Sequence, residues 1–485
     1  MATSAAHHLP SRARCSIIPP YLLEALAASG DPLLEECAQR TLAQDASLRE
    51  HRAAPTAAPG AERLGDRPDD RPDEMGAAGG ARRAVHDACR LTRLPGVLVR
   101  PEGGPPTGDA AADEAYGGLG STFALWAEEY GRDSLDGKGL PLVATVHYGR
   151  DYDNAFWDGD QMVFGDGDGV IFARFTKSLE VIGHELAHGV TQYTSGLVYR
   201  GQPGALNEHV SDVFGVLVVQ RERGQACDEA DWLIGADLLL PGVSGTALRS
   251  MREPGTAYDD PRLGRDPQPA HMDDFVVTSA DFGGVHINSG VPNRAFVLAA
   301  TAIGGYAWER AGWIWLDAIT GDIAADCDFA TFAALTEGAA ERRFGTGSVE
   351  HAAVRAAWRT VGVTGAAGSG APDAATELGP RSGTEVLVRR TGGVAGAVRE
   401  SRLRLEDLEA REARAWAELL TGPELRAAAA RAERAGDDGF GGADRFWYGV
   451  CCDAPPLDVE VPEQALEEET RALLERALRP TGSGP

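Results

Sequence analysis

Cysteine is scarce in this chain of 485 residues. Cys15, Cys37, Cys89, Cys227, Cys327, Cys451 and Cys452 make seven, an odd number, scattered, with no Cys-x-x-Cys pair among them. That argues against a disulfide framework and against a cysteine-built zinc site; most of these side chains are expected as small buried hydrophobes. Positive charge is also short. Lys and Arg number 46 against 73 Asp and Glu, a formal net charge of −27. Neutralising phosphates needs a basic surface, and so does attraction to an anionic membrane. Neither a nucleic acid nor a membrane is therefore expected as a partner, and the negative excess reads as a solubility device. Long apolar runs are missing: no window approaches the roughly 18 unbroken apolar residues of a spanning helix. The N-terminal stretch MATSAAHHLPSRARCSIIPPYLLEALAASG has no apolar segment behind its basic residues, so it does not read as a secretory signal peptide. His7 and His8 are expected in a tail without a metal.

What is present divides into segments, roughly two to four domains by length. Residues 1–51 hold one apolar box, IIPPYLLEAL, and a helix around PLLEECAQRTLAQ. Residues 52–83 are Ala, Pro, Gly, Asp and Arg, the composition of a linker. From 84 to 178, short apolar runs such as LPLVATVHYG and GVIFARF are expected as strands, with GDGDG as a hairpin turn lacking the spacing of an EF-hand loop. From 179 to 363 the spacing becomes helical. SLEVIGHELAHGVTQYTSG puts Leu179, Ile182, Leu186 and Val190 on one stripe and is expected to end at Gly196. A second linker at 364–383 precedes a different segment, 384–480, with a strand EVLVRRTGG and two helices. No internal repeat is visible.

His184 and His188 are four residues apart, so both imidazoles leave one helix face. That suits two nitrogen ligands at about 2.0–2.1 Å from one zinc ion. Glu185 points beside them, where it can meet a metal-bound water. A catalytic zinc takes three protein ligands and keeps one open position. The third candidate is Glu208 in GALNEHVSDVFG, with Asp212 one turn on as an acceptor for a ligand ring N–H and Asn207 in a similar role for His188. The pattern HExxH alone is also compatible with a solvated helix face. A closed structural zinc site would want a fourth ligand, usually cysteine, and none is near.

Five motifs in order, NAFWDGDQMVFGDGDG (154–169), GHELAHGVTQYTSGLVY, GALNEHVSDVFG, GVSGTALRSM and GGVHINSGVPNRAF, resemble the thermolysin-like zinc metallopeptidases over about Val85–Val363. The resemblance implies an α+β, two-lobed fold: a strand-rich N-lobe, a helical C-lobe and the zinc helix between them. It implies a zinc endopeptidase with His184, His188 and Glu208 as ligands and Glu185 as general base. Tyr199 and His286 become the oxyanion donors, and Arg249 the residue that holds a substrate carbonyl. Asn154 and Ala155 become contacts to an extended peptide. Val181, Ile234, Leu238 and Leu248 match an apolar pocket, which implies cleavage before bulky hydrophobic residues. The family's double calcium site is expected to be lost, because its acidic positions read Val219 and Ala236, with Asp231 kept. Ile18-Pro19-Pro20-Tyr21-Leu22-Leu23 resembles the short propeptide of the protealysin subgroup. It implies a propeptide over the cleft, removed by the enzyme within 52–83; a plain tail is the alternative. The last segment, through Arg390, Gly392, Gly393, Gly396 and Arg399, then Asp444, Arg445, Phe446 and Tyr448, resembles emfourin, an inhibitor of such enzymes. It implies a fused inhibitor domain, with an independent binding module as the alternative. A monomer is expected. Secretion is what the family implies, and without a signal peptide a cytoplasmic stage or another export route stays open. A catalytically silent scaffold would show a broken HExxH, or no Glu208 or His286, and a zinc aminopeptidase would not carry NAFWDG and GGVHINSG.

Overall fold

A computed structural model describes residues 16–53 and 80–363. Beyond them it describes 385–392, 398–408, 410–421, 425, 428–429, 446–453, 456–466 and 468–478. His7, His8, Cys15, Gly393, Gly396, Asp444, Arg445, the 364–383 linker and most of the 52–83 linker lie outside the described residues. The chain forms two compact units, Met1–Val276 with Val285–Ala366, and Val277–Gly284 with Ala367–Pro485.

The first unit begins with helices α1 (Pro20–Ala27) and α2 (Pro32–Ala53). Pro20 starts α1, where its fixed φ and missing N–H cost nothing. This segment is not a tail. Ile17, Ile18, Leu22, Leu23, Leu26 and Leu34 are at most 1% exposed and belong to the main core. Burying six such side chains contributes on the order of 10 kcal/mol before entropy is subtracted.

A five-stranded sheet follows: β1 (Arg83–Asp87), β2 (Val97–Pro101), β3 (Leu142–Val146), β4 (Ala155–Trp157) and β5 (Met162–Phe164), in the order β2-β1-β3-β5-β4. Strand β1 starts one residue inside the segment assigned to the linker. β4 is the edge strand, and its outer side pairs with Ser16. Helix α3 (Ala110–Ala124), capped by Asp109 through the Ala112 amide at 2.9 Å, packs on this sheet.

The run GVIFARF is not a strand, and GDGDG is not a hairpin turn. Only Phe172 makes a bridge, to Leu239. The reason is local: Asp168 Oδ1 accepts the amides of Val170, Ile171 and Phe172 at 2.7, 2.7 and 2.9 Å, satisfying donors that a ladder would otherwise use.

Beneath α2 lies Asp153, fully buried, with neither carboxylate oxygen hydrogen-bonded to a protein group. Its amide donates to Thr41 Oγ1 on α2. Burial first, then the charge of Asp168, push this carboxyl well above its ordinary range; Asp151 adds to the push, and the Asp168 backbone and Arg40 oppose it. A folded pKa above the unfolded one means that the penalty is absent at low pH and grows as pH rises. Asp153→Asn is therefore expected to raise the melting temperature at about pH 8 and leave it unchanged below about pH 4. An equal shift at both would show that charge is not the cause.

The centre of the unit is the crossing of α4 (Leu179–Tyr193) and α5 (Gly201–Arg223). Ser178 caps α4. The helix stops at Tyr193 rather than Gly196, because Gly196 turns left-handed (φ 60°) and its amide returns to Thr191 O at 2.8 Å. The two helices touch at glycines. A Cβ on Gly215 would lie 2.6 Å from Glu180 O, and one on Gly183 would lie 3.1 Å from the Gly215 Cα. Gly215→Ala should force α4 and α5 apart, destabilise by about 1–3 kcal/mol and lower zinc content. Gly117→Ala, on an exposed face with nothing within 4 Å, should do neither. Equal melting temperatures for the two variants would remove the close-approach argument. Beyond α5 come α6 (Asp281–Asn288), whose first residues belong to the second unit, and then α7 (Gly290–Ile303), α8 (Ala311–Thr320), α9 (Phe329–Phe344) and α10 (Val349–Thr360), these last four packed around Phe296, Trp315 and Trp358.

In the second unit, strands Arg399–Arg404, Glu385–Gly392, Phe446–Asp453 and Pro456–Pro462 form an antiparallel sheet in that order. With helices Ala410–Thr421 and Glu468–Ala477 it builds its own core around Val386, Val388, Trp416, Tyr448 and Leu474. Arg390 stacks 3.7 Å over the Phe446 ring. Both units mix helix and sheet, so the α+β class holds.

Candidate metal centre

His184 and His188 project from α4, and Glu208 from α5, into one buried point. The two Nε2 atoms are 3.1 Å apart. Glu208 Oε2 lies 3.5 Å from His184 Nε2, and Oε1 lies 3.5 Å from His188 Nε2. Ligand atoms at tetrahedral angles about 2.0–2.1 Å from one zinc sit about 3.3 Å from each other. The donor chemistry agrees. His184 Nδ1 lies 2.8 Å from Asp212 Oδ1, and His188 Nδ1 2.8 Å from Asn207 Oδ1, with Ser211 Oγ also at 3.0 Å. These acceptors hold the ring hydrogens on Nδ1, so two Nε2 lone pairs face each other. A cation between them relieves that repulsion. Among the described residues, this is the one group of His, Cys, Asp and Glu whose ligand atoms lie within 4.8 Å of one another.

Charge is arranged to suit. Burial pushes His188 down to about 4, which keeps it a neutral ligand. Burial acting alone would raise Glu208, but His286, His184, His188 and Arg249 hold it down to about 2. Asp212 is the hub behind the ligands. It accepts Arg249 Nη2 and Nε at 2.8 and 3.0 Å and Asn293 Nδ2 at 2.8 Å, besides His184. Arg249 overcomes the burial penalty and keeps the carboxyl far below the ordinary range.

Glu185 is fully buried beside the ligands, and its Oε2 accepts the Trp157 amide at 3.0 Å. Burial, then the neighbouring Glu208 charge, raise its carboxyl well above the usual range. Tyr199 Oη donates to Glu208 Oε1 at 2.5 Å, and His286 Nε2 lies 3.2 Å from that hydroxyl. His286 follows a left-handed turn through Phe282, Gly283 and Gly284. Gln268 Nε2 grips its carbonyl at 2.8 Å.

The apolar residues of the expected pocket, Val181, Ile234, Leu238 and Leu248, are all buried in the main core, as is Ile17. A short β-pair, β6 (Leu233–Ile234) with β7 (Arg249–Ser250), carries Ile234 and Arg249 as direct partners. Glu180 on α4 accepts the Gly235 amide at 3.1 Å and ties this pair to the zinc helix. Asn154 and Ala155, at the start of β4, meet the N-terminal segment. Asp231 is exposed, Val219 lies buried on α5, and Ala236 is half-buried.

Sequence reading missed Asn293, Ser211, Gln268 and the Trp157 amide. Asn293 had a faint signal as one of the few polar residues in a mostly apolar helix. A main-chain donor such as Trp157 N–H has none.

Residues 102–192 match the thermolysin metallopeptidase catalytic domain, and 195–363 match the thermolysin metallopeptidase alpha-helical domain. The chain belongs to the thermolysin metallopeptidase family. Residues 388–478 match Emfourin. An extracellular metalloprotease of Pectobacterium carotovorum subsp. carotovorum is 50% identical over 357 residues, covering 73% of this chain and 98% of that protein. Protease PrtS of Photorhabdus sp. is 52% identical over 284 residues, 58% of this chain and 76% of that protein. Among solved structures, the precursor of protealysin, a metalloproteinase from Serratia proteamaculans, aligns with a TM-score of 0.64 at 49% identity. That alignment covers 72% of this chain and all of that one. The chain is thus a zinc metalloendopeptidase of the thermolysin family, protealysin-like, with an emfourin-like C-terminus.

Proposed function

We propose that this protease hydrolyses peptide bonds before bulky hydrophobic residues, with Glu185 as the proton carrier, and is made as a precursor under intramolecular restraint. The observation that carries the reading is the convergence of His184, His188 and Glu208 with Glu185 on the same buried helix. A zinc ion at this point would supply a water of pKa near 7 and a Lewis acid. The residues of the chain do the rest. Glu185, held through Oε2 by the Trp157 amide, takes the proton of the attacking water and delivers it to the leaving nitrogen. His286 and Tyr199 stand where the carbonyl oxygen gains charge, so their loss should cost rate more than binding. Arg249, locked by Asp212, presents a guanidinium nitrogen to the carbonyl after the scissile bond. Val181, Ile234, Leu238 and Leu248 favour an apolar side chain there. Val219 and Ala236 offer no oxygen ligand, so the double calcium site is taken as lost.

Residues 1–51 are proposed as the propeptide, 52–83 as the linker that is cut, and the segment from 384 to 480 as a fused inhibitor domain. Residues 84–178 and 179–363 are proposed as the two catalytic lobes. The restraints are read as acting on the protease's own cleft, with peptides and proteins as substrates and a monomer as the unit. Secretion is the proposed destination; the relatives include proteins named extracellular, and no described helix is long and apolar enough to cross a membrane. The test is hydrolysis of a quenched peptide with Leu or Phe after the scissile bond, by the full chain, residues 1–370, and the Glu185→Gln form of the shorter chain, each with and without a chelator. Chelator-sensitive activity, higher without the tail and lost in Glu185→Gln, is expected. Equal activity with and without the tail would remove the inhibitor role and leave the protease.

A further inference from the structure

We propose that the Ser16–Ile17 peptide bond is a self-cleavage site, because the N-terminal segment crosses the metal centre in the direction and register of a substrate. This inference rests on the protease reading above.

Ser16 pairs antiparallel with Phe156 on the outer side of β4. The Ile17 amide donates to Ala155 O at 3.1 Å. Asn154 then reads both polar groups of the next residue: its Oδ1 accepts the Ile18 amide at 2.9 Å, and its Nδ2 donates to Ile18 O at 3.2 Å. Arg249 Nη1 reaches Ile17 O at 3.4 Å. On the other side, Ser16 O lies 3.1 Å from His286 Nε2. These contacts single out one bond. Its carbonyl oxygen faces the ring nitrogen placed to stabilise developing negative charge. Its amide nitrogen, on Ile17, is held by Ala155 O on β4, the strand whose Trp157 amide holds the Glu185 carboxyl. Ile17, fully buried in the same main core as Val181, Ile234, Leu238 and Leu248, supplies the bulky apolar side chain just after the bond. Among the described residues, no neighbouring bond meets all three conditions. The bond one residue on would place Ile17 O at the oxyanion position, but that oxygen is held by Arg249.

The step consumes one water. The bond between the Ser16 carbonyl carbon and the Ile17 nitrogen breaks, hydroxyl joins the carbon as a carboxylate, and the proton passes by way of Glu185 to the Ile17 amine. Nothing is oxidised or reduced. After the cut, the Arg249 and Asn154 contacts and the buried faces of α1 and α2 all lie on the Ile17 side, while the Ser16 carbonyl is freed from covalent attachment. The propeptide therefore stays bound as a product-like plug with a new amino terminus, and full release needs the later cut in the 52–83 linker. Two cleavages in order, the first silent in activity, follow from the geometry.

The test uses the full chain, purified with a chelator and then given zinc. Intact mass and N-terminal sequencing follow the bond over time, alongside hydrolysis of an external quenched peptide. The expected result is a chain starting at Ile17, appearing at a rate unchanged by hundredfold dilution and absent in Glu185→Gln. Ile17→Asp should slow the cut about tenfold or more, since an apolar site rejects a carboxylate, and Ile17→Leu should keep it, which separates subsite choice from misfolding. A protein that hydrolyses the external peptide while its Ser16–Ile17 bond stays intact overturns the self-cleavage site and leaves the protease reading standing. Equal cutting of wild type and Glu185→Gln also overturns it. Failure on both bonds overturns both readings together.

Discussion

Glu185→Gln should lower kcat on a peptide by about 10²–10⁴-fold while zinc content stays at one ion per chain. The substitution keeps the shape and the acceptor for the Trp157 amide, since a Gln carbonyl can still take that hydrogen bond at the 3.0 Å now made by Oε2. What it removes is the ability to take up and release a proton beside the attacking water. The ligands keep their own partners: His184, His188 and Glu208 are held by Asp212, Asn207 and Tyr199. The effect should therefore fall on kcat, with KM changed little. Metal analysis beside steady-state kinetics separates the cases. Loss of zinc in the variant would mean that Glu185 supports the metal, and near-normal turnover would remove it as the proton carrier.

The largest stability effect is expected at Asp212. Asp212→Ala removes the partner of Arg249, which at 2% exposure is shielded from bulk solvent. Breaking a buried pair from one side costs about 3–5 kcal/mol, because the remaining charge is left uncompensated. Two further groups lose their acceptor, His184 Nδ1 and Asn293 Nδ2. Without the first, the ring hydrogen of His184 is no longer fixed on Nδ1, and zinc affinity should drop about 10–100-fold. The two losses can be read apart. Urea unfolding with a chelator present reports the ion pair alone, and zinc competition against a chromogenic chelator reports the ligand. Adding Arg249→Met should recover much of the stability, since the unpaired cation is gone, and none of the zinc affinity. If the double variant is as unstable as Asp212→Ala, the stranded charge is not the cause.

Much of the site was legible in the sequence because its elements are local. The i, i+4 spacing of His184 and His188 puts both rings on one helix face wherever that helix lies, and the same spacing relates Glu208 to Asp212. The resemblance extended this to Tyr199, Arg249 and His286. Other assignments depended on groups that carry no pattern. GVIFARF has the composition of a strand, yet Asp168, a single side chain before it, takes three of its amides and ends the ladder before it starts. Helix α4 looked as if it should run to Gly196, but a left-handed glycine can bond back to Thr191 and close the helix from outside. The buried Asp153 was invisible, because its penalty arises only where α2 and Asp168 close over it.

By itself the sequence determined what each helix can offer: two imidazoles and the Glu185 carboxylate on α4, the Glu208 and Asp212 carboxylates on α5, glycines where those helices could meet, and apolar runs enough for two cores. These follow from periodicity and side-chain chemistry, which do not depend on distant residues. Only the tertiary structure decided that Gly183 and Gly215 bring the helices close enough for three ligands to share one point. It also decided that Ser16 and Ile17 lie along β4 between His286 and Arg249, residues some 230 to 270 positions away. Such contacts come from backbone hydrogen bonds on a sheet edge, which any residue can make, and from the burial of Ile17 and Ile18 in a core assembled from several elements. No local pattern records either one.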